Sequence, residues 1–313
     1  MTVNQIWQFG TSTHKGPVKK VNEDHPFLNI AQDPKGGDLA IVAVADGMGG
    51  YQAGDLASQL AIDQIRLWWE KRKQKWLKQN PPLDKIAHEL KNKLHEINKK
   101  LVNIRQIKGI KLGTTLSVLI LRQGEYLLCH VGDSRIYQFT GSRTGFQNYF
   151  RYQQKADHVL GQETESLEEQ AEIIQLTEDH SWVQSQVQEG RLTKEEARHH
   201  GKRNVLLQCL GIDDRIEPYY AVGNYQPNDI FLLCSDGFYS CFSDDDIAEL
   251  LRDAEEESDD LQTVSQSLVR IANNSGKTKD NITTILLRNI YVRQQVDRPS
   301  RWRELLKGKH FPF

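Results

Sequence analysis

The sequence has little of what would place it in a specialised class of protein. Its 313 residues include four cysteines and no CxxC pair, which argues against a disulfide scaffold or a zinc site. No apolar run approaches the length of a membrane span, and the first residues lack the basic and apolar segments of a secretory signal. The formal net charge of −2 gives no general attraction to nucleic acid or to anionic membranes. We therefore expect a cytoplasmic protein with no nucleic acid partner, no membrane insertion and no need for more than a monomer.

Apolar segments of strand length are the clearest positive signal. Strand-like runs lie at 25–30, 38–46, 229–237 and 280–292, and the two apolar runs within 114–139 predict a long hairpin. The run at 38–46 is rich in β-branched residues and carries no charge between its two end residues. It therefore predicts a strand that is buried on both faces.

Helical spacing of apolar residues appears in three regions. The first two lie between the first clear strand and the hairpin, and Pro81 and Pro82 separate them. The third begins after Ser243, a suitable N-cap, and its apolar stripe continues through Ile271 to the break at 273–276. Blocks of strands and helices, in place of strict alternation, favour an α+β fold with antiparallel sheets and helices on their outer faces.

Three segments are expected to be additions to this frame. Residues 141–176 are polar and predict an irregular surface insertion. Residues 253–260 form a short acidic run, and residues 293–313 form a basic C-terminal tail with interspersed aromatic residues. We expect all three to be solvated surface.

Two aspartates stand at the ends of apolar strands, and glycine follows each of them. The stretch "AIVAVADGMGG" carries Asp46, and "FLLCSDG" carries Asp236. An Asp-Gly pair alone most often marks a hairpin turn, but no partner strand follows either pair directly. These aspartates are therefore candidates for a functional site.

Further carboxylates occupy comparable positions at Glu23, Asp24, Asp133 and Asp280. If the strand ends converge, like charges meet there, and they are costly unless cations neutralise them. Oxygen ligands without histidine or cysteine favour the hard divalent ions Mg²⁺ and Mn²⁺. Gly47, after the first of the strand-end aspartates, would let its backbone carbonyl approach such an ion.

Seven short motifs follow one another along the chain: "KKVNED", "VADGMGG", "GTT", "VGDSRIY", "TEDHS", "LLCSDGFYSCFSDDDI" and "KDNIT". In this order they resemble the metal-dependent protein phosphatase family of the 2C type, in its bacterial branch. The resemblance implies two antiparallel β-sheets in a central sandwich between helical layers, and hydrolysis of phosphoserine and phosphothreonine in proteins. It also implies one catalytic domain over 1–292, with a flap at about 177–211.

The resemblance assigns metal-binding roles residue by residue. Asp46 would bridge two Mn²⁺ or Mg²⁺ ions, and the Gly47 carbonyl would bind one of them. Asp236 and Asp280 would hold the other, and Asp133 would hold a third ion together with Asp236. A hydroxide that bridges the first two ions would attack phosphorus in line, without a phosphoenzyme.

Glu23 and Asp24 match the acidic pair that binds metal-bound waters in the family. Two positions depart from the usual pattern. Lys19 stands where an arginine usually grips the phosphate, so it would supply charge without a planar fork. Met48 replaces the histidine of many animal members, which favours a metal-bound water as the acid.

The resemblance leaves the substrate open. His199, His200 and Arg203 lie in the expected flap, where they are candidates for contact with a phosphorylated protein, the substrate of a serine/threonine kinase. One alternative is a pseudophosphatase that binds phosphoproteins without turnover, which only Lys19 favours. Another is a hydrolase of small phosphomonoesters or of phosphotyrosine.

Overall fold

Eleven strands lie in the described parts of the chain, which are residues 3–33, 37–49, 52–140 and 172–293 of a computed structural model. They are β1 (Val3–His14), β2 (Asp24–Gln32), β3 (Asp38–Met48), β4 (Gly113–Thr114), β5 (Leu116–Arg122), β6 (Glu125–Val131), β7 (Arg135–Thr140), β8 (Glu172–Gln175), β9 (Tyr219–Asn224), β10 (Ile230–Cys234) and β11 (Ile282–Arg293).

These strands form two antiparallel sheets. One has the order β1-β11-β10-β7-β8, and the other has the order β2-β3-β5-β6-β9 with the short β4 paired to β3. A layer of apolar side chains between the sheets includes Trp7, Leu121, Phe231 and Leu287. The sandwich predicted from the sequence is therefore confirmed.

Helices cover the outer faces of both sheets. Those in the same described ranges are α1 (Gln52–Gln79), α2 (Leu83–Lys108), α3 (Trp182–Gln188), α4 (Lys194–His199), α5 (Asp236–Tyr239), α6 (Asp244–Glu257) and α7 (Leu261–Asn274). One core lies between the α1–α2 pair and the β3 sheet, and another between the α6–α7 pair and the β10 sheet. None of the described helices is long and apolar enough to cross a membrane.

Strand β3 shows why the sequence folds into layers. Each residue from Leu39 to Ala45 is fully buried. Successive side chains of a strand point to opposite faces, so Ile41 and Ala43 contact the helical layer while Val42 and Val44 contact the other sheet. A strand that is apolar on both faces can lie only at the centre of such an arrangement.

The hairpin and the third helical region were predicted only in part. Strands β5 and β6 form the expected hairpin, but β7 crosses into the other sheet. The region after Ser243 divides into α6 and α7, and Asp260 provides a second N-cap by accepting hydrogen bonds from Gln262 and Thr263. Ile271, expected on the buried stripe, is 38% exposed, and Ala272 is buried instead.

Of the three expected surface segments, the acidic run 253–260 is fully described, and the expectation of solvated surface is wrong for Ala254 and Glu255, which are buried on α6. The other two lie largely outside the described residues. Of the predicted insertion at 141–176, residues 141–171 are not described, and the expectation of irregular structure is wrong for 172–175, which form β8 against β7. Of the predicted tail, only residue 293 is described, as the last residue of β11.

Gly10 of β1 allows α7 to rest directly on the sheet, because a Cβ atom there would lie 1.9 Å from the carbonyl oxygen of Leu261. We expect Gly10→Ala to lower the free energy of unfolding by about 2–3 kcal/mol, since the helix must shift. Denaturant unfolding measures the change, with Ser12→Ala on the same strand as the control. Equal stability of the two variants would contradict this account of the packing.

Candidate active site

Carboxylates from both sheets meet at one edge of the sandwich. Asp24 begins β2 and pairs with Asp46 of β3. Asp236 stands two residues after the end of β10, and Asp280 stands two residues before β11. The Ser235 hydroxyl donates to Asp24 Oδ2 at 2.6 Å and so connects the end of β10 to the start of β2. The predicted convergence of strand ends is therefore present.

Burial and mutual repulsion raise the pKa of these carboxyl groups. Burial is the first cause for Asp46 and Asp236, whose pKa lies well above the usual range, and the neighbouring aspartates add to the shift. Burial and the charge of Asp179 raise the pKa of Asp133 to about 7. Burial raises the pKa of Asp24 to about 6, although the Ser235 hydroxyl stabilises its charged form. Protein groups alone therefore compensate the negative charges of these carboxylates only in part.

Several oxygen atoms of this cluster are positioned to bind a cation. Glu23 Oε1, Asp24 Oδ1 and Asp236 Oδ1 are buried and accept no hydrogen bond from the described residues. No three His, Cys, Asp or Glu side chains of the described chain are already grouped as metal ligands, and Asp280 is engaged by Lys19. Unpaired buried oxygens and repelling carboxylates nevertheless fit divalent cations, because such ions would satisfy both.

Close backbone packing shapes the floor of the site at Gly47. A Cβ atom on Gly47 would lie 2.2 Å from the carbonyl oxygen of Gly54 and 2.8 Å from that of Glu23. The start of α1 therefore rests against the end of β3 with no room for a side chain. The backbone of Asp46 is fixed from the other side, where its N–H donates to Thr115 Oγ1 at 2.9 Å and its carbonyl accepts from Thr114 Oγ1 at 2.9 Å.

Lys19 places a cation against the cluster. Its Nζ lies 2.7 Å from Asp280 Oδ1, and its side chain is 38% exposed. Burial lowers its pKa, but the hydrogen bond to Asp280 and the charges of Asp280, Glu23 and Asp46 outweigh this and leave the pKa above its ordinary value. Lys19 is therefore a charged group with access to solvent, beside a predicted metal ligand.

Asn281 holds the loop that carries Lys19, and sequence reasoning missed it. Its Nδ2 donates to the carbonyls of Lys15 and Val21 at 2.9 and 3.0 Å, and its Oδ1 accepts from the Glu23 N–H at 2.9 Å. A buried amide that makes three such bonds fixes two otherwise irregular loops against each other. The available signal is the "DN" pair in the sequence, because Asn281 directly follows the predicted ligand Asp280.

Asp133 lies on the turn between β6 and β7 and is 7% exposed. The "TEDHS" segment holds this turn, since the His180 N–H donates to the Gly132 carbonyl at 2.7 Å and His180 Nδ1 accepts from the Gly132 N–H at 3.1 Å. The His180 ring also stacks on buried His130, with 5.1 Å between centroids. These contacts give His180 a packing role at the turn that carries Asp133.

The flap candidates lie apart from the carboxylates in all described contacts. His199 is exposed and pairs with Glu195 at 3.0 Å, His200 lies against Trp182 with ring centroids 4.9 Å apart, and Arg203 is exposed. The segment that carries them is nevertheless attached near the site, because Arg198 donates to the carbonyl of Phe242, just beyond α5.

The metal-free protein should lose stability as the pH rises from about 4 to about 7. A carboxyl group with a raised pKa stabilises the fold fully below its ordinary pKa, and this contribution is lost as the pH passes the folded-state value. That value is about 6 for Asp24 and about 7 for Asp133, against 3.8 for each when unperturbed. The Asp24 shift alone corresponds to about 3 kcal/mol. Thermal unfolding in chelator at the two pH values measures the loss.

Added Mn²⁺ should restore stability mainly at the higher pH, where the carboxylates are ionised. Asp236→Asn removes one of the repelling charges and should flatten the pH dependence. A chelated wild type that shows the same pH dependence as this variant would contradict the assignment.

The chain is similar to known protein phosphatases over most of its length. The chain matches the family model described as protein phosphatase 2C over residues 17–279. It is 31% identical over 284 residues to serine/threonine phosphatase stp of Listeria monocytogenes, with 88% of this chain and 93% of that protein covered. It is 31% identical over 277 residues to protein phosphatase PhpP of Streptococcus pneumoniae, with 88% and 94% covered.

Solved structures share the fold. The serine/threonine phosphatase of S. agalactiae superposes with a TM-score of 0.69 at 27% identity, over 90% of this chain and 99% of that one. The catalytic domain of the serine/threonine protein phosphatase PstP, solved with two manganese ions, gives a TM-score of 0.65 at 26% identity, over 92% and 100%. The chain therefore belongs to the protein phosphatase 2C family and groups with its bacterial serine/threonine phosphatases.

Proposed function

We propose that the protein hydrolyses phosphoserine and phosphothreonine in proteins, by in-line attack of a hydroxide that bridges two divalent metal ions. The observation that carries this proposal is the convergence of carboxylates from four strand ends, three of whose buried oxygen atoms have no partner among the described residues. Two ions at such a site would lower the pKa of a bound water and neutralise the phosphate oxygens. Mn²⁺ and Mg²⁺ are the ions that suit all-oxygen ligands.

The proposed metal ligands stand at or near the ends of strands. Asp46, the Gly47 carbonyl, Asp236 and Asp280 would hold the two central ions, and Asp133 with Asp236 would hold a third. The repulsion that raises the pKa of Asp46 and Asp236 supports this set, because each neighbouring charge involved belongs to an aspartate of the same cluster. The fixed backbone around Asp46 would keep the bridging carboxylate in place.

Glu23 and Asp24 would orient water beside the metal ions. Asp24 is 3% exposed and already accepts a hydrogen bond from Ser235, so one of its oxygens remains for water or another donor. The half-exposed Lys19 would bind a phosphate oxygen. Its single ammonium group supplies charge but no bidentate fork, so we expect looser phosphate binding than an arginine gives.

The proposed substrates are phosphorylated proteins, the products of a serine/threonine kinase. His199, His200 and Arg203 of the flap would contact them beside the site, which the attachment of Arg198 to Phe242 supports. We infer a cytoplasmic monomer with a single catalytic domain over 1–292 and a flap at about 177–211. The cysteines support a reducing compartment, because all four are buried free thiols.

The first test compares turnover of a phosphothreonine peptide in the wild type and in Asp236→Asn, with Mn²⁺, with Mg²⁺ and with chelator. We expect metal-dependent turnover that falls at least about 100-fold in the variant, because one ligand of two ions is weakened. Asp229→Asn is the matched control, since Asp229 is also buried but stands at the opposite end of β10. Wild-type turnover that persists in chelator would contradict the proposal.

The second test addresses Lys19. Lys19→Met should raise KM for the phosphopeptide by roughly tenfold with a smaller change in kcat, because it removes a charge that binds the phosphate in the ground state. Lys19→Arg should lower KM, since a guanidinium can bind two phosphate oxygens. Lys20→Met, beside it in sequence, is the control. An unchanged KM in Lys19→Met would show that Lys19 does not bind phosphate.

One observation favours a second function, binding of phosphoproteins without turnover. Lys19 lies on Asp280, a proposed metal ligand, at 2.7 Å. If this ion pair persists when metal is bound, Lys19 stays on Asp280 and does not bind the phosphate. The phosphate would then be poorly aligned for attack. Undetectable turnover in a wild type that nevertheless binds Mn²⁺ would favour this reading, and gain of turnover in Lys19→Arg would identify the cause. A small phosphomonoester or phosphotyrosine would be tested as a substrate in the same assay.

A further inference from the structure

Two loops beside the carboxylates carry lysines and no acidic residue. One loop, 15–22, follows β1, and the other, 275–279, follows α7. Together they hold five lysines, which are Lys15, Lys19, Lys20, Lys277 and Lys279. The whole chain has 40 basic and 42 acidic residues, so this part of the surface departs from the overall balance of charge. We call the two loops the lysine rim.

Backbone contacts hold the two loops of the lysine rim together. Gly16 has a φ of +74°, and a Cβ atom there would lie 1.9 Å from the carbonyl oxygen of Asp280. The Asn281 side chain donates to the carbonyl of Lys15 at 2.9 Å. Lys15 directly precedes Gly16, and Lys279 directly precedes Asp280. Both lysines therefore stand next to the same close contact, at the edge of the site.

The ammonium groups of Lys15 and Lys279 are available to a ligand. Both residues are exposed, and neither makes an ion pair or a side-chain hydrogen bond with another described residue. Lys277 differs, because its Nζ donates to the carbonyl of Cys241 at 3.1 Å. The lysine rim therefore presents two uncompensated positive charges to solvent.

The position of these charges relates them to the substrate. Val18, between Lys15 and Lys19, is 63% exposed, so the first loop projects into solvent beside the buried carboxylates. Lys19 of the same loop is the proposed phosphate-binding residue. An extended peptide advances about 3.3 Å per residue, so the residues on either side of a phosphothreonine held at Lys19 would pass along the lysine rim.

From this arrangement we propose that the lysine rim selects phosphorylated protein segments in which acidic residues flank the phosphoserine or phosphothreonine. Lys15 and Lys279 determine this specificity, because their ammonium groups donate to carboxylates of the flanking residues. The proposal rests on the proposed phosphatase function and names the class of substrate for that site. Exposed ion pairs each contribute little, so the two lysines act together.

The test compares kcat/KM for two phosphothreonine peptides whose flanking residues are Asp in one and Asn in the other. At low ionic strength we expect the wild type to favour the Asp peptide by roughly tenfold, and the double variant Lys15→Gln, Lys279→Gln to favour it by about threefold or less. Turnover of the Asn peptide should not change, because neither lysine is a proposed metal ligand or phosphate-binding residue. Added salt should reduce the wild-type preference, since salt screens exposed charges.

The double variant Lys75→Gln, Lys78→Gln is the matched control. Both are exposed lysines in the last part of α1, about 30 Å along the helix from Gly54, which packs against the site at Gly47. The control removes the same amount of charge from the protein and should keep the wild-type preference. Equal loss of preference in the two double variants would overturn the proposal, because net charge alone would then explain the effect.

The outcomes also separate this proposal from the one on which it rests. A wild type that hydrolyses neither peptide in the presence of Mn²⁺ would overturn both. A wild type that hydrolyses the two peptides equally well, or a rim variant that keeps the full preference, would overturn the role of the lysine rim and leave the phosphatase function in place.

Discussion

Repulsion among carboxylates that cannot move apart is the physical constraint on which the site depends. Asp24 and Asp46 are fixed by strand pairing, and Asp236 begins the helical turn that follows β10. Burial and the neighbouring charges together raise their pKa values, so ionisation in the protein alone is unfavourable. Divalent ions bound as proposed would offset the free energy that it costs the fold to hold these carboxylates together. The proposed affinity for hard cations would therefore be a property of the sandwich rather than of any single residue.

The carboxylates cannot move apart, because backbone contacts rather than side-chain contacts set the distances between the segments that carry them. A Cβ atom on Gly237 would lie 1.9 Å from the carbonyl oxygen of Asn281, and Gly47 meets Gly54 in a similar way. Strand ends and helix starts thus touch directly, on a core that is closely packed and resists displacement. Polar side chains then complete the support, with Ser235 on Asp24 and Asn281 on the Lys19 loop. Carboxylates held in this way have little freedom to separate in response to their charge.

The sequence predicted what depends on local pattern. Apolar runs that end in Asp-Gly identified Asp46 and Asp236, since a buried strand has a distinctive composition and an abrupt end. Strand β1 was missed because it mixes polar and apolar residues and is an edge strand, and so was the other sheet's edge strand β9. The supports were missed for another reason: Asn281 meets Glu23 across 258 residues and Ser235 meets Asp24 across 211. No local periodicity encodes a hydrogen bond of that kind, which exists only once both sheets have formed.

Lys19 stands where the family usually has an arginine. It changes the balance of charge at the site and leaves the carboxylates in place. An ammonium group 2.7 Å from Asp280 neutralises part of the repulsion that would otherwise favour a metal ion. In the proposed function the same group would bind a phosphate oxygen, so Asp280 and phosphate would compete for it. An arginine could bind Asp280 and a phosphate at once, because its planar guanidinium has several N–H donors. A lysine presents a single point charge. Since the ammonium sits on a flexible, half-exposed stem, metal binding at Asp280 would release it toward the substrate. In the proposed function, metal affinity and phosphate affinity would therefore be coupled through this one side chain.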